Sequence, residues 1–153
     1  WIRFEWQFSL GAIIALVHDV IITLGIFSFL SYEINLSIVA AVLTIVGYSM
    51  NDTVVIFDRI RENLKKYSQL KIAEISNLST KETLSRTLIT SVTTLLALFS
   101  IFIFGGAILK GFSFAMIVGV IVGTYSSIFV ATPILNYTKV TQKTILKEDK
   151  ENI

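Results

Sequence analysis

Four long apolar runs, separated by short polar stretches, dominate the hydrophobic pattern of this chain. They cover residues 8–30, 36–57, 88–109 and 112–135, and each contains 22 to 24 residues. Since an α-helix rises about 1.5 Å per residue, each run would be roughly 33 Å long, against a bilayer hydrocarbon core of about 30 Å. The runs lack the alternating polarity of barrel strands, so the pattern predicts four membrane-spanning helices.

The segments between the runs predict how neighbouring helices are connected. Residues 31–35 and the Lys110-Gly111 pair leave room only for tight turns, which join antiparallel helices. We therefore expect an all-α integral membrane protein with four transmembrane helices in two antiparallel hairpins. These helices should form one transmembrane domain over residues 1–135, followed by a polar cytoplasmic tail over residues 136–153.

The polar loop 58–87 between the hairpins carries its own helical pattern, because apolar positions recur at spacings of three and four residues. These positions are Phe57, Ile60, Leu64 and Tyr67. The pattern predicts a cytoplasmic amphipathic helix that continues the second span. Ser79, with Glu82 three residues later, fits a capping box and predicts the start of the third helix. Pro133, near the end of the last run, predicts a break or kink there.

The composition agrees with lipid as the solvent of this chain. Of its 153 residues, 54% are hydrophobic and 16% are charged, and the mean hydropathy is +0.74. The absence of cysteine excludes disulfides and thiolate chemistry, and a single histidine argues against a protein-built metal site. The sequence carries no phosphate-binding loop and no catalytic triad, so we expect neither a cofactor nor enzymatic activity.

The basic residues are concentrated on one side of the predicted membrane. Of thirteen Lys and Arg residues, one precedes the first span, seven lie between Arg59 and Arg86, and four lie in the tail. Lys110 alone falls elsewhere. Because successive spans alternate in direction, the positive-inside rule places both termini and the 58–87 loop in the cytoplasm. Topology and contact with lipid headgroups explain the basic clusters, so we expect no nucleic-acid partner.

Two ionisable residues, His18 and Asp19, fall near the middle of the first span. A charged Asp at the bilayer centre costs about 3 kcal/mol, so it must be paired, protonated, or turned toward protein or water. Adjacent residues lie about 100° apart around a helix, so we expect both side chains to find partners on other helices rather than in each other. A hydrogen-bond clamp between helices and a functional site are both open interpretations.

The second span carries polar residues in its cytoplasmic half. They are Tyr48, Ser49, Asn51 and Asp52. Arg86, at the start of the third helix, has a side chain long enough to reach the depth of Asp52, and Thr90 follows one turn later. An Asp52–Arg86 pair is one interpretation, and an Arg86 side chain that snorkels to the headgroups is the other. An embedded acid, a basic partner and small polar neighbours form a minimal proton relay.

The fourth span has a face of small residues. Gly119 and Gly123 lie four residues apart, which is a common spacing where membrane helices meet. We therefore expect this face to pack closely against another helix.

Residues 47–63 have the sequence GYSMNDTVVIFDRIREN, which resembles the SecF family of membrane subunits in the bacterial SecD/SecF protein-export complex. Three further stretches match the family in order: LVHDVIITLG at 16–25, RTLITS at 86–91, and FGG followed by GFS within 104–113. The resemblance implies the resistance-nodulation-division superfamily, with six transmembrane helices and a periplasmic domain after the first. This chain, which opens on Trp1, would then be the interior of a longer protein and would hold its last four helices.

The resemblance also implies partners and site residues. The family associates with SecD and the SecYEG channel in the bacterial inner membrane, and is thought to use the proton gradient to draw secreted polypeptides outward. Its intramembrane acid and arginine match Asp52 and Arg86, and Asp19 matches a further motif residue. A signature run at the cytoplasmic membrane face is implied to be structural or to bind a partner. This run includes Asp58, Arg59, Arg61 and Glu62.

Two other functions remain open beside proton-coupled protein export. A small-molecule or lipid efflux transporter of the same superfamily would act without SecD. A purely structural membrane scaffold would have every buried polar residue satisfied by packing contacts. The SecF-like signature and the short external turns favour export.

Overall fold

Helices account for nearly all of the residues that the structure describes, which are 6–67, 69–138 and 140. The computed structural model contains α1 (Trp6–Phe29), α2 (Leu36–Lys66), α3 (Ile72–Phe104), α4 (Gly106–Ser126), a π-helical turn (Ser127–Ala131) and α5 (Thr132–Tyr137). Counting α4, the π-helical turn and α5 as one unit, four helices are long and apolar enough to cross a membrane. The predicted all-α fold with four membrane-spanning helices is confirmed. Most of the predicted tail lies outside the described residues.

A short polar link joins α1 to α2. Asn35 caps α2, because its Oδ1 accepts a hydrogen bond from a backbone N–H in the first turn at 3.1 Å. The two helices then run side by side in opposite directions, since Phe8 contacts Phe57 and, further along, Asp19 contacts Ser49. The link therefore brings the acid of α1 against the middle of α2.

The connection between α3 and α4 differs from the prediction. α3 ends at Phe104, and α4 begins at Gly106, whose φ of +73° lies in the left-handed region that favours glycine. Lys110 and Gly111, the predicted turn, lie inside α4. One charged residue does not stop a helix, whereas a backbone with positive φ does, so the turn falls at the glycine pair before Lys110.

We call the end of the bundle where α2 ends and α3 begins the basic end. Here α2 continues without a break to Lys66. The predicted start of α3 at Ser79 is wrong, because the helix begins about two turns earlier. At its actual start, the backbone N–H of Lys71 donates to the Glu74 carboxylate at 3.0 Å. Ser79 and Glu82 do not cap the helix because both side chains bind residues of α2 instead.

The apolar core consists of two clusters, one toward each end of the bundle. The cluster at the basic end includes Phe8, Ile56, Phe57, Ile60, Ile75 and Leu135. The cluster at the opposite end includes Phe27, Ile38, Ile45, Leu98, Ala115 and Val120. All four membrane-spanning units contribute to both clusters and present buried polar side chains between them. We call these side chains the polar layer; they are Asp19, Thr23, Ser49, Asp52, Thr53, Thr87, Ser91, Ser126 and Ser127.

Pro133 predicts a local break, and the helix changes its geometry immediately before it. The π-helical turn Ser127–Ala131 precedes α5, which contains Pro133 in its first turn. Proline has no N–H to donate and its ring crowds the preceding turn, so a wider turn accommodates it. The Thr132 hydroxyl donates to the carbonyl of Ser127 at 3.0 Å and satisfies one carbonyl of the widened turn.

Candidate functional site

Asp19 lies in the polar layer and is completely buried. Its Oδ2 accepts a hydrogen bond from Ser49 Oγ on α2 at 2.5 Å, and His18 Nδ1 lies 3.1 Å from its Oδ1. The expectation that His18 and Asp19 would not pair is wrong, because the imidazole is long enough to lean across the angle between the two side chains. A partner on another helix is also present, in Ser49. Both carboxyl oxygens of Asp19 therefore have hydrogen-bond partners.

Close packing between α2 and α4 brings Ser49 into this position. A Cβ added to Gly119 would overlap the side chain of Ile45, and one added to Gly123 would lie 3.2 Å from Ser49 Cβ. Larger residues at these two positions would push the helices apart. The two glycines therefore allow α4 to support the face of α2 that carries Ser49.

Asp52 is buried three residues along α2 from Ser49, nearer the basic end. Only 4% of its surface is exposed, and within the described part of the chain its Oδ2 has no hydrogen-bond partner. A buried polar atom without a partner costs about 1–3 kcal/mol, so its retention calls for an explanation. A functional role is one such explanation.

The polar residues of α2 have different surroundings. Ser49 binds Asp19, whereas the Tyr48 hydroxyl donates to Thr94 Oγ1 on α3 at 3.5 Å. Asn51 is exposed. The helix therefore distributes these side chains among different neighbours, and Asp52 remains separate from them.

Among the described residues, Arg86 forms no ion pair with Asp52. Three contacts set the antiparallel register of α2 and α3: Tyr48–Thr94, Asn63–Ser79 and Arg59–Glu82. The register places Thr90 opposite Asp52 and Arg86 about one turn nearer the basic end. Arg86 is exposed, and no ion pair reaches Asp52 from any described residue. The Thr90 hydroxyl donates to the Arg86 carbonyl of its own helix at 3.0 Å.

Residues of the signature run join α2 to α3 at the basic end. Arg59 donates to Glu62 at 2.6 Å and to Glu82 on α3 at 2.7 Å. Asn63 donates to the same Glu82 carboxylate at 2.8 Å and to Ser79 at 2.9 Å. The hydrogen bonds from Arg59 and Asn63 hold the pKa of Glu82 below its usual value. The network therefore favours the ionised form of Glu82.

A cavity of about 320 Å³ opens beside this network. It is lined by Val55, Asp58, Arg59, Glu62, Glu82, Thr83 and Arg86. The cavity thus brings Arg86 together with three of the four signature residues named from the sequence, while Arg61 is half-buried outside its lining. Asp52 lies three residues along α2 from Val55, or about 5 Å deeper.

Sequence reasoning missed several residues that the structure brings into the site. Asn63 was missed because it lies outside the apolar runs, although it follows Arg59 at helical spacing. Glu82 is predicted from the sequence as part of a capping box and not as the partner of Arg59 that it is in the structure. Thr87 and Ser126 were missed because single hydroxyls are common in membrane helices. Only the register between helices shows that Ser126 lies at the depth of Asp52 and Thr87 within about one turn of it.

The chemistry of this region is that of proton binding and ion pairing. It contains two buried carboxyls, a neighbouring guanidinium and several hydroxyls, all of which can take part in hydrogen bonds that depend on charge. The described residues include no group of three side chains suited to hold a metal ion.

Comparisons with known proteins agree with one another. Residues 1–141 match the family model described as protein export membrane protein SecD/SecF, C-terminal. The protein translocase subunit SecF of Rhodothermus marinus is 61% identical over 140 residues, which cover 88% of this chain and 46% of that relative. The corresponding subunit of Cereibacter sphaeroides is 51% identical over 150 residues, which cover 98% of this chain and 46% of that relative. The chain spans about half the length of these curated relatives.

Solved structures show the same similarity. The crystal structure of SecDF, a translocon-associated membrane protein from Thermus thermophilus, matches with a TM-score of 0.87 at 47% sequence identity. The match covers 90% of this chain and 19% of the SecDF chain. A second SecDF crystal structure, in the super-membrane-facing form, matches with a TM-score of 0.87 at 44% identity and covers 98% of this chain and 20% of that chain.

Proposed function

This chain belongs to the SecD/SecF C-terminal family of protein export membrane proteins, and from that membership we propose that it is the SecF-type membrane part of an export complex. The complex couples the transmembrane proton gradient to the movement of secreted polypeptides across the bacterial inner membrane. Its partners are SecD and the SecYEG channel. The distribution of Lys and Arg supports an orientation in which the basic end faces the cytoplasm and lipid headgroups.

The observation that carries this proposal is the buried Asp52 carboxyl, whose Oδ2 has no partner in the part of the chain that the structure describes. A proton-driven machine needs an acid inside the membrane whose proton can be gained and lost. Asp19 is less suited to that exchange, because Ser49 and His18 already occupy its oxygens. Asp52 is therefore the primary proton-binding residue of the proposal, and Asp19 is a second acid less than one helical turn away in depth.

Arg86 supplies the second element of the proposed relay. It lines the cavity at the basic end, about one turn from the depth of Asp52, and its long side chain can extend toward the acid. A nearby guanidinium favours a charged carboxylate, and its withdrawal favours the neutral acid. A movement of α3 relative to α2 would therefore change the proton occupancy of Asp52. A membrane potential supplies about 2.3 kcal/mol per charge per 100 mV to drive such a movement.

The test is Asp52→Asn in the full-length protein assembled with SecD. The amide keeps the size of the side chain but cannot exchange a proton with the membrane gradient. We expect proton-dependent export into inverted membrane vesicles to be lost, while assembly with SecD is retained. Glu33→Gln, which makes the same chemical change at an exposed position, is the matched control and should export normally.

Two results would contradict the proposal. Unchanged export by the Asp52→Asn variant would favour a structural scaffold. Transport of small molecules by the protein in the absence of SecD would favour an efflux transporter.

A further inference from the structure

Two buried hydroxyls depart from the usual behaviour of Ser and Thr in membrane helices. Such hydroxyls commonly donate to a carbonyl three or four residues earlier in their own helix, as Thr90 and Thr124 do here. Among the described residues, three buried hydroxyls have no hydrogen-bond partner: those of Ser76, Thr87 and Ser126. Ser76 lies in the second turn of α3, far from the polar layer. Thr87 and Ser126 belong to the polar layer.

The packing of α2 on α4 places Ser126 at the depth of Asp52. Thr53 and Ser127 share a hydrogen bond of 2.9 Å across a separation of 74 residues. Gly123 lies against Ser49, which is also 74 positions away in the sequence. The parallel helices α2 and α4 therefore keep the same register over this length. The same offset places Ser126 at the depth of Asp52, and the Ser126 side chain is completely buried.

The packing of α3 places Thr87 within about one turn of the same depth. The α2–α3 register puts Thr90 opposite Asp52, and Thr87 precedes Thr90 by three residues on the buried face of α3. Thr87 is 1% exposed. The next buried residue of that face, Ser91, is already paired with Thr124 of α4 at 2.7 Å. Three helices therefore bring three buried oxygens, none with a partner among the described residues, to within about one turn of the same depth.

On this basis we propose that Thr87 and Ser126 are positioning residues that hold water against the Asp52 carboxyl. The inference rests on the proposed function, and it assigns the two hydroxyls a role there. Each unpartnered group would cost about 1–3 kcal/mol if nothing satisfied it. A polar site lined by two to four such groups is the kind that retains ordered water. A hydroxyl both donates and accepts, so it can hold water whether Asp52 is charged or neutral.

The water gives Asp52 a path for its proton. To protonate Asp52, a hydronium ion in the path gives a proton to the carboxylate and becomes water. To release the proton, the neutral acid donates it to that water, which becomes hydronium and carries the proton onward, and Asp52 becomes a carboxylate again. Thr87 and Ser126 do not change their own protonation; they fix the water at hydrogen-bonding distance from the acid.

Few other charged groups face Asp52. From α3 the nearest is Arg86, and from α1 they are Asp19 and His18. α4 carries Lys110 at its far end and Tyr125, which is exposed. Removing a hydroxyl from α3 or α4 therefore leaves the charged surroundings of Asp52 unchanged.

The test uses the full-length complex with SecD in lipid nanodiscs, studied by infrared difference spectroscopy after a pH jump. The carbonyl stretching band of Asp52 is identified as the band that Asp52→Asn removes. We expect this band to move to higher frequency in the Thr87→Val/Ser126→Ala double variant, because the neutral acid loses its water partner. We also expect hydrogen–deuterium exchange of the Asp52 proton to slow by about tenfold for each hydroxyl removed, as for the loss of one hydrogen bond in the path.

Two further variants separate a positioning role from a packing role. Thr87→Ser keeps the hydroxyl and should preserve the band and the exchange rate. Ser113→Ala removes a buried hydroxyl that already donates to the Leu109 carbonyl at 2.6 Å, and should leave both readouts unchanged. If Thr87→Val leaves both readouts unchanged, as Ser113→Ala should, the Thr87 hydroxyl does not hold water against Asp52.

The outcomes distinguish this inference from the function on which it rests. If Asp52→Asn abolishes export but the double variant keeps the native band and exchange rate, only the role of Thr87 and Ser126 is overturned. If Asp52→Asn leaves export unchanged, the proposed function fails and this inference fails with it. A band that responds to sodium rather than to pH would also overturn the inference, because the oxygens would then bind a metal cation.

Discussion

The two buried acids of this bundle, Asp19 and Asp52, lie less than one helical turn apart in depth but in different surroundings. Asp19 is completely buried and has a partner on each oxygen, Ser49 from α2 and His18 from its own helix. Asp52 is 4% exposed and has an oxygen for which the described residues offer no partner. The free-energy cost of placing a carboxyl in the membrane is similar for the two acids. Contacts with described side chains offset that cost for Asp19 but not for Asp52. The difference supports the proposal that Asp19 clamps two helices together and that Asp52 is the acid that exchanges its proton.

Alanine substitutions should separate the two acids most strongly. Asp19→Ala leaves Ser49 without its buried acceptor and His18 without its neighbour, so we expect the free energy of unfolding to fall by about 2–4 kcal/mol. Asp52→Ala removes an atom that has no partner, so we expect a change of less than about 1 kcal/mol. Unfolding of the full-length protein in bicelles would measure both. Ser100→Ala, at an exposed hydroxyl, provides the background, and equal losses for the two acids would contradict the distinction.

Much of the fold could be predicted from the sequence because it depends on single-helix properties. Length and hydropathy identify four spanning helices without any knowledge of their neighbours. The errors arose where one residue type was given too much weight. The Lys110-Gly111 pair predicts a turn, but Gly106 has the positive φ. Ser79 predicts a helix cap, but its hydroxyl binds Asn63.

The candidate site was less predictable because it depends on the register between helices. Asp52 and Asp19 could be identified individually, since a charge within an apolar run is conspicuous. Their different surroundings could not, because the α2–α4 register depends on how closely Gly119 lets the helices approach. Hydroxyls such as Thr87 have no significance in the sequence until that register is known.

The second prediction tests whether helix packing supports the Asp19 clamp. Gly119→Ala places a methyl group against the Ile45 side chain, so we expect a loss of about 1–3 kcal/mol in the free energy of unfolding. Ile45→Ala, added to this variant, makes room for the methyl group and should recover part of the loss beyond additivity. A double-mutant cycle in bicelles measures the coupling.

A matched glycine provides the control for this cycle. An added Cβ at Gly47 would meet no described atom within 4 Å apart from its chain neighbours and the nearby backbone of its own helix, so Gly47→Ala should be neutral or slightly stabilising. If Gly119→Ala is also neutral, the close approach of α2 and α4 does not determine the position of Ser49 beside Asp19.

The smallest expected effect on stability comes from the Arg59–Glu82 pair at the basic end. The pH dependence of its contribution must be known before that of the buried acids can be measured. The pKa of Glu82 is lowered in the folded protein, chiefly by Arg59, so its contribution to stability is present at neutral pH and is lost as the pH falls through the folded-state pKa. We expect the thermal midpoint of Glu82→Gln to fall less than that of the native protein between about pH 7 and pH 4. The difference should be small, because the Glu82 side chain is 32% exposed and solvent screens the pair. Arg59→Gln should reduce the acid-induced loss similarly, whereas Glu33→Gln should not. If all these variants lose stability with falling pH as the native protein does, the acid sensitivity arises from other carboxyls. The buried acids Asp19 and Asp52 are then the first candidates.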